Sequence, residues 1–249
     1  DGIVAHNSYA GTDLTINAAT TTGNENGINA VNNGTGALSI TTTGTTTGET
    51  GEGDGIYAKN SGTSLTVNAA DVVGYYNGIY ADNDGEGALN ITSTGKIITA
   101  IEDGISANNS ASGTDLTIAA VHTYGGDSAS GGDGVGSGIA AINNGSGALS
   151  ITTTGITTGT ESDGIFAYNS SAGTGLTINA ATTTGADDGI YADNNGTGAL
   201  SITTTGTTTG TSRYGIYAYD DDTGSIIIRA IYNHDRNVQL DLIYQCLLY

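Results

Sequence analysis

A Gly-Ile dipeptide, or a close variant of it, recurs along almost the whole chain, and this repeat constrains the fold more than any other feature. Its glycines follow one another at intervals of 23 to 34 residues, and they are Gly2, Gly27, Gly55, Gly78, Gly104, Gly138, Gly164, Gly189 and Gly215. A period in this range is typical of solenoids, propellers and repeat arrays. Two sequence variants of the unit alternate along the chain, one seen in residues 164–185 and the other in residues 189–210.

Each unit contains three short segments in which apolar and polar residues alternate, separated by Gly, Asn, Asp and Ser. Such alternation predicts strands, the separating residues favour turns, and no segment has the i, i+3, i+4, i+7 spacing of a helix. Three strands in about 25 residues predict one coil of a parallel β-helix. We therefore expect an all-β fold, a right-handed parallel β-helix of about nine coils over residues 1–229. An irregular C-terminal strand or cap would follow at 230–249.

The alternation also predicts which side chains face the interior of the helix. In the first strand, Gly-Ile-x-Ala-x-Asn, the Ile, Ala and Asn side chains point inward. The second strand, Leu-x-Ile, buries its Leu and Ile, and the third strand is rich in Thr. The Asn column consists of Asn7, Asn32, Asn60, Asn83, Asn109, Asn143, Asn169 and Asn194, with Asp220 in the last place. Stacked Asn side chains can hydrogen-bond along such a column and to the backbone of the adjoining turn.

Composition excludes several classes of function. The chain carries 25 acidic and 5 basic residues, a formal net charge of −20, and so lacks the basic patch that nucleic-acid binding requires. No apolar run approaches the ~20 residues that span a bilayer, so we expect no membrane insertion by this chain. The single cysteine, Cys246, excludes an intrachain disulfide and a cysteine-based zinc site. Because the sequence contains no Met, we expect it to be a processed or excised part of a longer product.

The repeat is clearest in residues 54–70, which read Asp-Gly-Ile-Tyr-Ala-Lys-Asn-Ser-Gly-Thr-Ser-Leu-Thr-Val-Asn-Ala-Ala, and in residues 189–206. These units resemble the passenger-domain repeats of bacterial autotransporters, the type V secreted proteins, and the resemblance covers about residues 1–229. It implies a non-enzymatic stalk or adhesin module, located outside the cell or on the bacterial cell surface, with a host-surface protein or glycan as partner. Family passengers also include proteases and cytotoxins, but no motif of those enzymes is present in this sequence.

An alternative is a polysaccharide-active enzyme, because β-helices host enzymes that use clustered carboxylates. The best outward candidates are Asp82 and Asp84 in coil four. Asp193 shares the column of Asp82 but lies four coils away, beyond the ~5–10 Å that separates a glycosidase pair. Lys59 lies one coil from Asp82 in that column. We therefore expect a local ion pair, no catalytic residue and no enzyme.

Metal and cofactor sites are also not expected. Asp precedes Gly-Ile in five coils and Asn in two, at Asp1, Asp54, Asp103, Asp163, Asp188, Asn26 and Asn77. A stack of carboxylates is a possible Ca²⁺ site, but the same residues suit turns for local hydrogen-bonding reasons, and we favour turn chemistry. The histidines fall in coil one, coil five and the tail, at His6, His122 and His234, without zinc spacing.

A lesser alternative is an ice-binding β-solenoid, which would need a regular Thr-x-Thr array. The expected third-strand triplets begin at Thr20, Thr45, Asp71, Ile97, Val121, Ile156, Thr182 and Thr207. Asp71, Ile98 and His122 break the array in the middle coils, and Thr is in any case a good strand former.

Aromatic residues recur at the outward position after the first Ile. This column reads Val4, Asn29, Tyr57, Tyr80, Ser106, Ala140, Phe166, Tyr191 and Tyr217, and the neighbouring outward column adds Tyr168 and Tyr219. Exposed rings in register form a platform for sugar rings or a partner protein, although aromatic ladders also simply stabilise sheets. The candidate contact face consists of Tyr57, Tyr80, Phe166, Tyr191 and Tyr217. We expect the longest insertion, at about residues 124–137, to lie at the same edge, and a smaller one covers residues 49–54.

Overall fold

The computed structural model describes residues 1–51, 53–126, 136–221 and 224–230. Within these ranges every regular element is a β-strand, and each strand pairs in parallel with its equivalents in the adjacent coils. The three strands of a coil belong to three different sheets. The fold is therefore a parallel β-helix, as the repeat predicts.

The strands are numbered in chain order. The first sheet contains β1 (Ile3–Asn7), β4 (Ile28–Asn32), β7 (Ile56–Asn60), β10 (Ile79–Asn83), β13 (Ile105–Asn109), β16 (Ile139–Asn143), β19 (Ile165–Asn169), β22 (Ile190–Asn194) and β25 (Ile216–Asp220). The second contains β2 (Leu14–Ala18), β5 (Leu38–Thr42), β8 (Leu65–Ala69), β11 (Leu89–Ser93), β14 (Leu116–Ala120), β17 (Leu149–Thr153), β20 (Leu176–Ala180), β23 (Leu200–Thr204) and β26 (Ile226–Arg229). The third contains β3 (Thr21–Gly23), β6 (Thr46–Gly48), β9 (Val72–Gly74), β12 (Lys96–Thr99), β15 (His122–Tyr124), β18 (Ile156–Thr158), β21 (Thr182–Gly185) and β24 (Thr208–Gly210).

Eight coils are thus complete, and a ninth contributes β25 and β26 within the described residues. The count agrees closely with the nine Gly-Ile units. Of the C-terminal segment predicted at 230–249, residues 231–249 lie outside the described ranges. No helix in the described part of the chain is long and apolar enough to cross a membrane.

The core follows the period-2 pattern of the first two strands. In β10, for example, Ile79 and Asn83 are fully buried and Ala81 is 1% exposed, while Leu89 and Ile91 of β11 face the same interior. The equivalent positions of the other inner coils are buried in the same way. The predicted inward columns of Ile, Ala, Asn, Leu and Ile are therefore confirmed.

The Asn column forms a continuous hydrogen-bonded ladder from Asn7 to Asn194. Each Asn Nδ2 donates to the Oδ1 of the Asn in the next coil, over seven bonds of 2.8 to 3.0 Å. Most Nδ2 groups also donate to a carbonyl of the following turn, as Asn83 does to Gly87 O at 3.1 Å. The ladder thus satisfies polar groups at a bend that is closed to water.

The last position of the second strand alternates strictly from coil to coil. Ala occupies it in one variant of the repeat, and Thr or Ser occupies it in the other. In chain order the residues are Ala18, Thr42, Ala69, Ser93, Ala120, Thr153, Ala180 and Thr204. In the inner coils this position is buried. Each buried hydroxyl therefore lies between two small apolar side chains.

In the third sheet, the predicted triplets were wrong by one residue in two coils. Lys96, not Ile98, pairs with His122, and Ile97 pairs with Thr123. A one-residue slip exchanges the two faces of a strand, so Ile97 is fully buried and Ile98 is exposed. Ile97 and Ile98 are both large and apolar, so the sequence of this strand does not show which of the two faces the interior.

The inward position of the third sheet packs against the glycine that opens each coil. In coil two, a Cβ added at Gly27 would lie 2.6 Å from Gly55 O and 2.7 Å from the Cγ2 atom of Thr46. A side chain has no room there. The recurrent glycine is therefore required by the close approach of neighbouring backbones.

Candidate binding face

The candidate contact face lies on the outward side of the first sheet, in two clusters of stacked rings. Tyr57 and Tyr80 are register partners on β7 and β10, with ring centroids 5.1 Å apart and planes 5° apart. Phe166, Tyr191 and Tyr217 follow one another on β19, β22 and β25. The ring centroids of Phe166 and Tyr191 are 5.2 Å apart with an interplanar angle of 11°, and those of Tyr191 and Tyr217 are 5.0 Å apart with an angle of 13°. The predicted register is confirmed, whereas the role of this face in contacts stays a prediction.

Two small residues separate the clusters. The column runs from Tyr80 through Ser106 and Ala140 to Phe166. Neither intervening residue carries a ring, so the stack stops at Tyr80 and begins again at Phe166. Residues 127–135 of the predicted edge insertion lie outside the described ranges.

The neighbouring outward column does not form a ladder of rings. Asp193 lies between Tyr168 and Tyr219 in the register, so the two rings are two strand spacings apart. The Tyr219 hydroxyl instead donates to Asp221 Oδ1 at 2.9 Å. These two tyrosines therefore add separate, half-buried rings rather than a third stack.

Tyr214 joins the second cluster, which the sequence did not predict. Its ring lies 5.9 Å from that of Tyr217, tilted by 30°, and the Arg213 guanidinium lies 5.7 Å from the Tyr214 ring centroid. Tyr214 occupies the turn position that Asp or Asn fills in most coils, so the strand pattern gives no sign of it. Its unusual residue type at that position is the one available signal.

A groove of about 430 Å³ opens beside the first cluster, at the corner between the third and first sheets. It is lined by Asn26, Asn29, Asp54, Tyr57, Tyr76, Asn77, Tyr80, Glu102 and Ser106. The lining combines three tyrosines, three amides, a hydroxyl and two carboxylates. Sequence reasoning did not find it because its residues come from four successive coils and from both sides of a corner.

The Asp and Asn residues before Gly-Ile form a second ladder, here called the turn ladder. Asp54 Oδ1 accepts from the backbone N and from Nδ2 of Asn77, at 2.8 and 3.0 Å. Asn77 Oδ1 accepts from Asp103 N at 3.2 Å, and Asp103 Oδ1 accepts from Ser137 N at 2.9 Å. The same contact to the next coil recurs at Asp1, Asn26, Asp163 and Asp188.

This geometry supports turn chemistry at these positions. One oxygen of each carboxylate is occupied by a backbone N–H group of the next coil, which is the local bonding that favours Asp and Asn in turns. Among the described residues, no group of three or more His, Cys, Asp or Glu side chains is arranged to hold a metal ion.

Burial changes the titration of the turn ladder. Desolvation raises the pKa of Asp54 to about 6, although its bonds to Asn77 act in the opposite direction. Desolvation likewise raises the pKa of Asp103 to about 7 and that of Asp163 to about 6. The pKa of Asp188 is also raised by burial, and Arg213 lies 3.5 Å from its Oδ2 atom.

The carboxylates considered for catalysis are held by one lysine. Lys59 Nζ lies 2.7 Å from Asp82 Oδ2 and 3.1 Å from Asp84 Oδ2. Asp82 Oδ1 also accepts from Asn108 Nδ2 at 3.1 Å. The hydrogen bonds to Asp82 and then Asp84 raise the pKa of Lys59, so the lysine is held in its charged form. The predicted local ion pair is confirmed, and it includes both carboxylates.

The remaining candidates are dispersed. His6 is exposed on β1, His122 Nδ1 accepts from Ile156 N at 2.9 Å on the third sheet, and His234 lies outside the described ranges. With the register corrected, one outward column of the third sheet carries Lys96, His122 and Ile156 in succession. The Thr array is therefore interrupted over more coils than the sequence indicated.

Comparison of the chain with protein-family models, curated proteins and solved structures finds no match. The resemblance to autotransporter passengers therefore rests on the repeat residues alone.

Proposed function

We propose that this chain is a non-enzymatic binding module, a stalk or adhesin segment that presents the contact face to a glycan or protein on another surface. The observation that carries the proposal is the pair of stacked ring clusters on the outward side of the first sheet. Flat rings with a polar hydroxyl stack on pyranose faces and pack well in protein interfaces.

The negative charge of the molecule indicates that aromatic stacking, rather than ionic attraction to an anionic partner, is the source of its affinity. With a net charge of −20, the surface repels anionic partners. The rigid array of parallel strands supports a stalk, because it holds successive rings one strand spacing apart without a cost in ordering loops. The passenger-like repeats support a location outside the cell or on the bacterial surface.

The arrangement of Asp82 and Asp84 favours a binding module over a polysaccharide-active enzyme. Both carboxylates contact Lys59, so neither is poised as a free acid or base. We expect this chain to have neither hydrolase nor lyase activity on acidic or neutral polysaccharides. Turnover of any glycan that Asp82→Asn or Asp84→Asn abolishes would overturn the non-enzymatic proposal.

The test of the contact face combines four changes, Tyr57→Ser, Tyr80→Ser, Tyr191→Ser and Tyr217→Ser, with Tyr9→Ser as the matched control. Tyr9 is 82% exposed in a turn away from the first-sheet rings. Binding is measured on a glycan array and on whole cells, with circular dichroism to establish folding. Loss of a ring at an interface hot spot costs about 2 kcal/mol or more, roughly a thirtyfold loss of affinity. Binding that survives all four changes would leave the rings as a sheet-stabilising ladder only.

A further inference from the structure

We propose that the groove beside Tyr57 and Tyr80 binds an amino sugar whose amine is free and positively charged, such as a unit of a β-linked glucosamine oligomer. This inference rests on the proposed function, because it names the ligand class for one part of the same face.

The carboxylates of the groove select for a cation. Asp54 and Glu102 line it, and none of the described lining residues is Lys, Arg or His. Desolvation by burial is the main reason that the pKa of Asp54 and of Asp103 is raised, and the charge of Glu102 adds to it in both cases, which places Glu102 close to both groups. The nearest lysine along the first sheet, Lys59, is already engaged by two carboxylates. A bound ammonium group would relieve this uncompensated negative charge.

The tyrosines supply the surface for a sugar ring. The Tyr57 and Tyr80 rings stack on each other, so their outer faces are directed along the column toward Asn29 and Ser106. Both of these neighbours are small enough to leave space over a ring, and both line the groove. A ring face also attracts a cation placed above it.

The amide of Asn29 provides an independent sign of a missing partner. Its Oδ1 atom is buried and has no hydrogen-bond partner within the described part of the chain. An unpaired buried acceptor costs about 1–3 kcal/mol. Asn29 lines the groove, so a turn of its half-buried amide would present this acceptor to a hydroxyl or ammonium donor there.

The mixture of groups favours an amino sugar over a lysine side chain or a neutral sugar. The amides of Asn26 and Asn77 already bond within the turn ladder, and the Ser106 hydroxyl bonds Asp103. A lysine side chain offers one ammonium and an aliphatic stem, and it would leave the Asn29 acceptor and the outer faces of the Tyr57 and Tyr80 rings unused. A neutral sugar would use those groups but not the charge of Asp54 and Glu102. An amino sugar offers a ring face, several hydroxyls and a cation.

The test is calorimetric titration of the full chain at about pH 6.5, where a sugar amine, although less basic than the lysine amine, is still mostly protonated. Four ligands are compared: a β-1,4 tetramer of glucosamine, its N-acetylated counterpart, the β-1,4 glucose tetramer and a trilysine peptide. We expect the glucosamine tetramer to bind about tenfold more tightly than either uncharged tetramer, as one charge-assisted contact provides. Its affinity should fall at about 0.5 M salt, because screening then weakens the charge contact.

Two variants and a matched control locate the binding. Glu102→Gln removes one charge from the lining and should lower the affinity for the glucosamine tetramer about tenfold while leaving the glucose tetramer unchanged. Tyr80→Leu should weaken every sugar. Glu86→Gln makes the same charge change on an exposed turn of coil four and should alter nothing.

The outcomes separate this inference from the proposed function. Equal binding of the glucosamine and glucose tetramers, abolished by Tyr80→Leu, would overturn the amino-sugar inference and support the contact face. Trilysine binding as tight as the tetramer's would overturn the sugar class. If no tetramer binds, the inference is wrong, and the four-tyrosine cell-binding assay still decides the proposed function.

Discussion

Replacing Asn83 by Ala tests whether the Asn ladder stabilises the β-helix. The Asn83 side chain is fully buried and makes three hydrogen bonds: it accepts from Asn60 Nδ2 at 2.8 Å and donates to Gly87 O at 3.1 Å and Asn109 Oδ1 at 3.0 Å. The Ala variant loses all three, and it leaves Asn60 Nδ2 and Asn109 Oδ1 without these partners in the closed interior. At about 1–3 kcal/mol for each of the two groups left unpaired, the free energy of unfolding should fall by roughly 2–6 kcal/mol.

The effect should be largest near coil four, because each coil contacts only its neighbours. Urea unfolding followed by circular dichroism gives the loss of stability, and hydrogen exchange locates it on β7, β10 and β13. The matched control is Asn90→Ala, which changes a half-buried, outward Asn on β11 of the same coil and should stay within about 0.5 kcal/mol of the parent. If the two variants unfold alike, the ladder bonds contribute nothing net and the reasoning is refuted.

Three further outcomes are expected. Burial raises the pKa of Asp54 to about 6, that of Asp103 to about 7 and that of Asp163 to about 6, so the folded state holds protons that the unfolded state releases. The free energy of unfolding should therefore be greatest below about pH 4 and should fall as the pH rises through 7. For Asp54 alone the fall amounts to about 3 kcal/mol. Thermal melts across that range measure this slope. Leu116→Asp places an unpaired charge at a fully buried site and should unfold several coils together, seen as a much lower melting temperature. Gly27→Ala puts a Cβ 2.6 Å from Gly55 O and should lower the urea midpoint by an amount equivalent to about 1–3 kcal/mol.

Each of these outcomes has a result that contradicts it. For the pH dependence, Asp54→Asn should flatten the slope, and a stability that rises toward pH 7 in the parent would contradict the sign. Thr117→Asp changes the outward neighbour of Leu116 on β14 and should be tolerated, so equal damage from both would show that the two faces are not distinguished. A Gly27→Ala variant as stable as the parent would show that the coils can move apart at that corner.

The first two strands were predictable because their inward residues differ sharply from their outward ones. Ile79 and Leu89 each alternate with polar or amphipathic neighbours, so only one register buries them. The third strand offers less contrast: in β12 two isoleucines stand side by side, and there the expected register failed at Ile97. A local pattern can specify a strand but not a residue such as Tyr214, which reaches its ring cluster from a turn.

The groove was beyond sequence reasoning for a related reason. The strand pattern places Tyr57 and Tyr80 in one column, but Glu102 lies in a turn of another coil. Whether a turn side chain is directed at a neighbouring strand depends on the angle of the corner, and that angle is set by the packing of three sheets. The sequence identified Asp54 as a turn residue, and only the folded structure shows that its carboxylate lies beside the rings.

The alternation of Ala with Thr or Ser at the end of the second strand determines how many coils the β-helix can gain or lose at a time. Ala18, Ala69 and Ala120 follow one another at intervals of 51 residues, which correspond to two coils. Deleting or duplicating a single coil would bring two hydroxyls, or two alanines, into contact across the new junction, whereas a change of two coils leaves every junction as it was. Recombination between the repetitive segments of the gene is therefore expected to preserve function when it adds or removes coils in pairs, and natural length variants of this chain should differ by even numbers of coils.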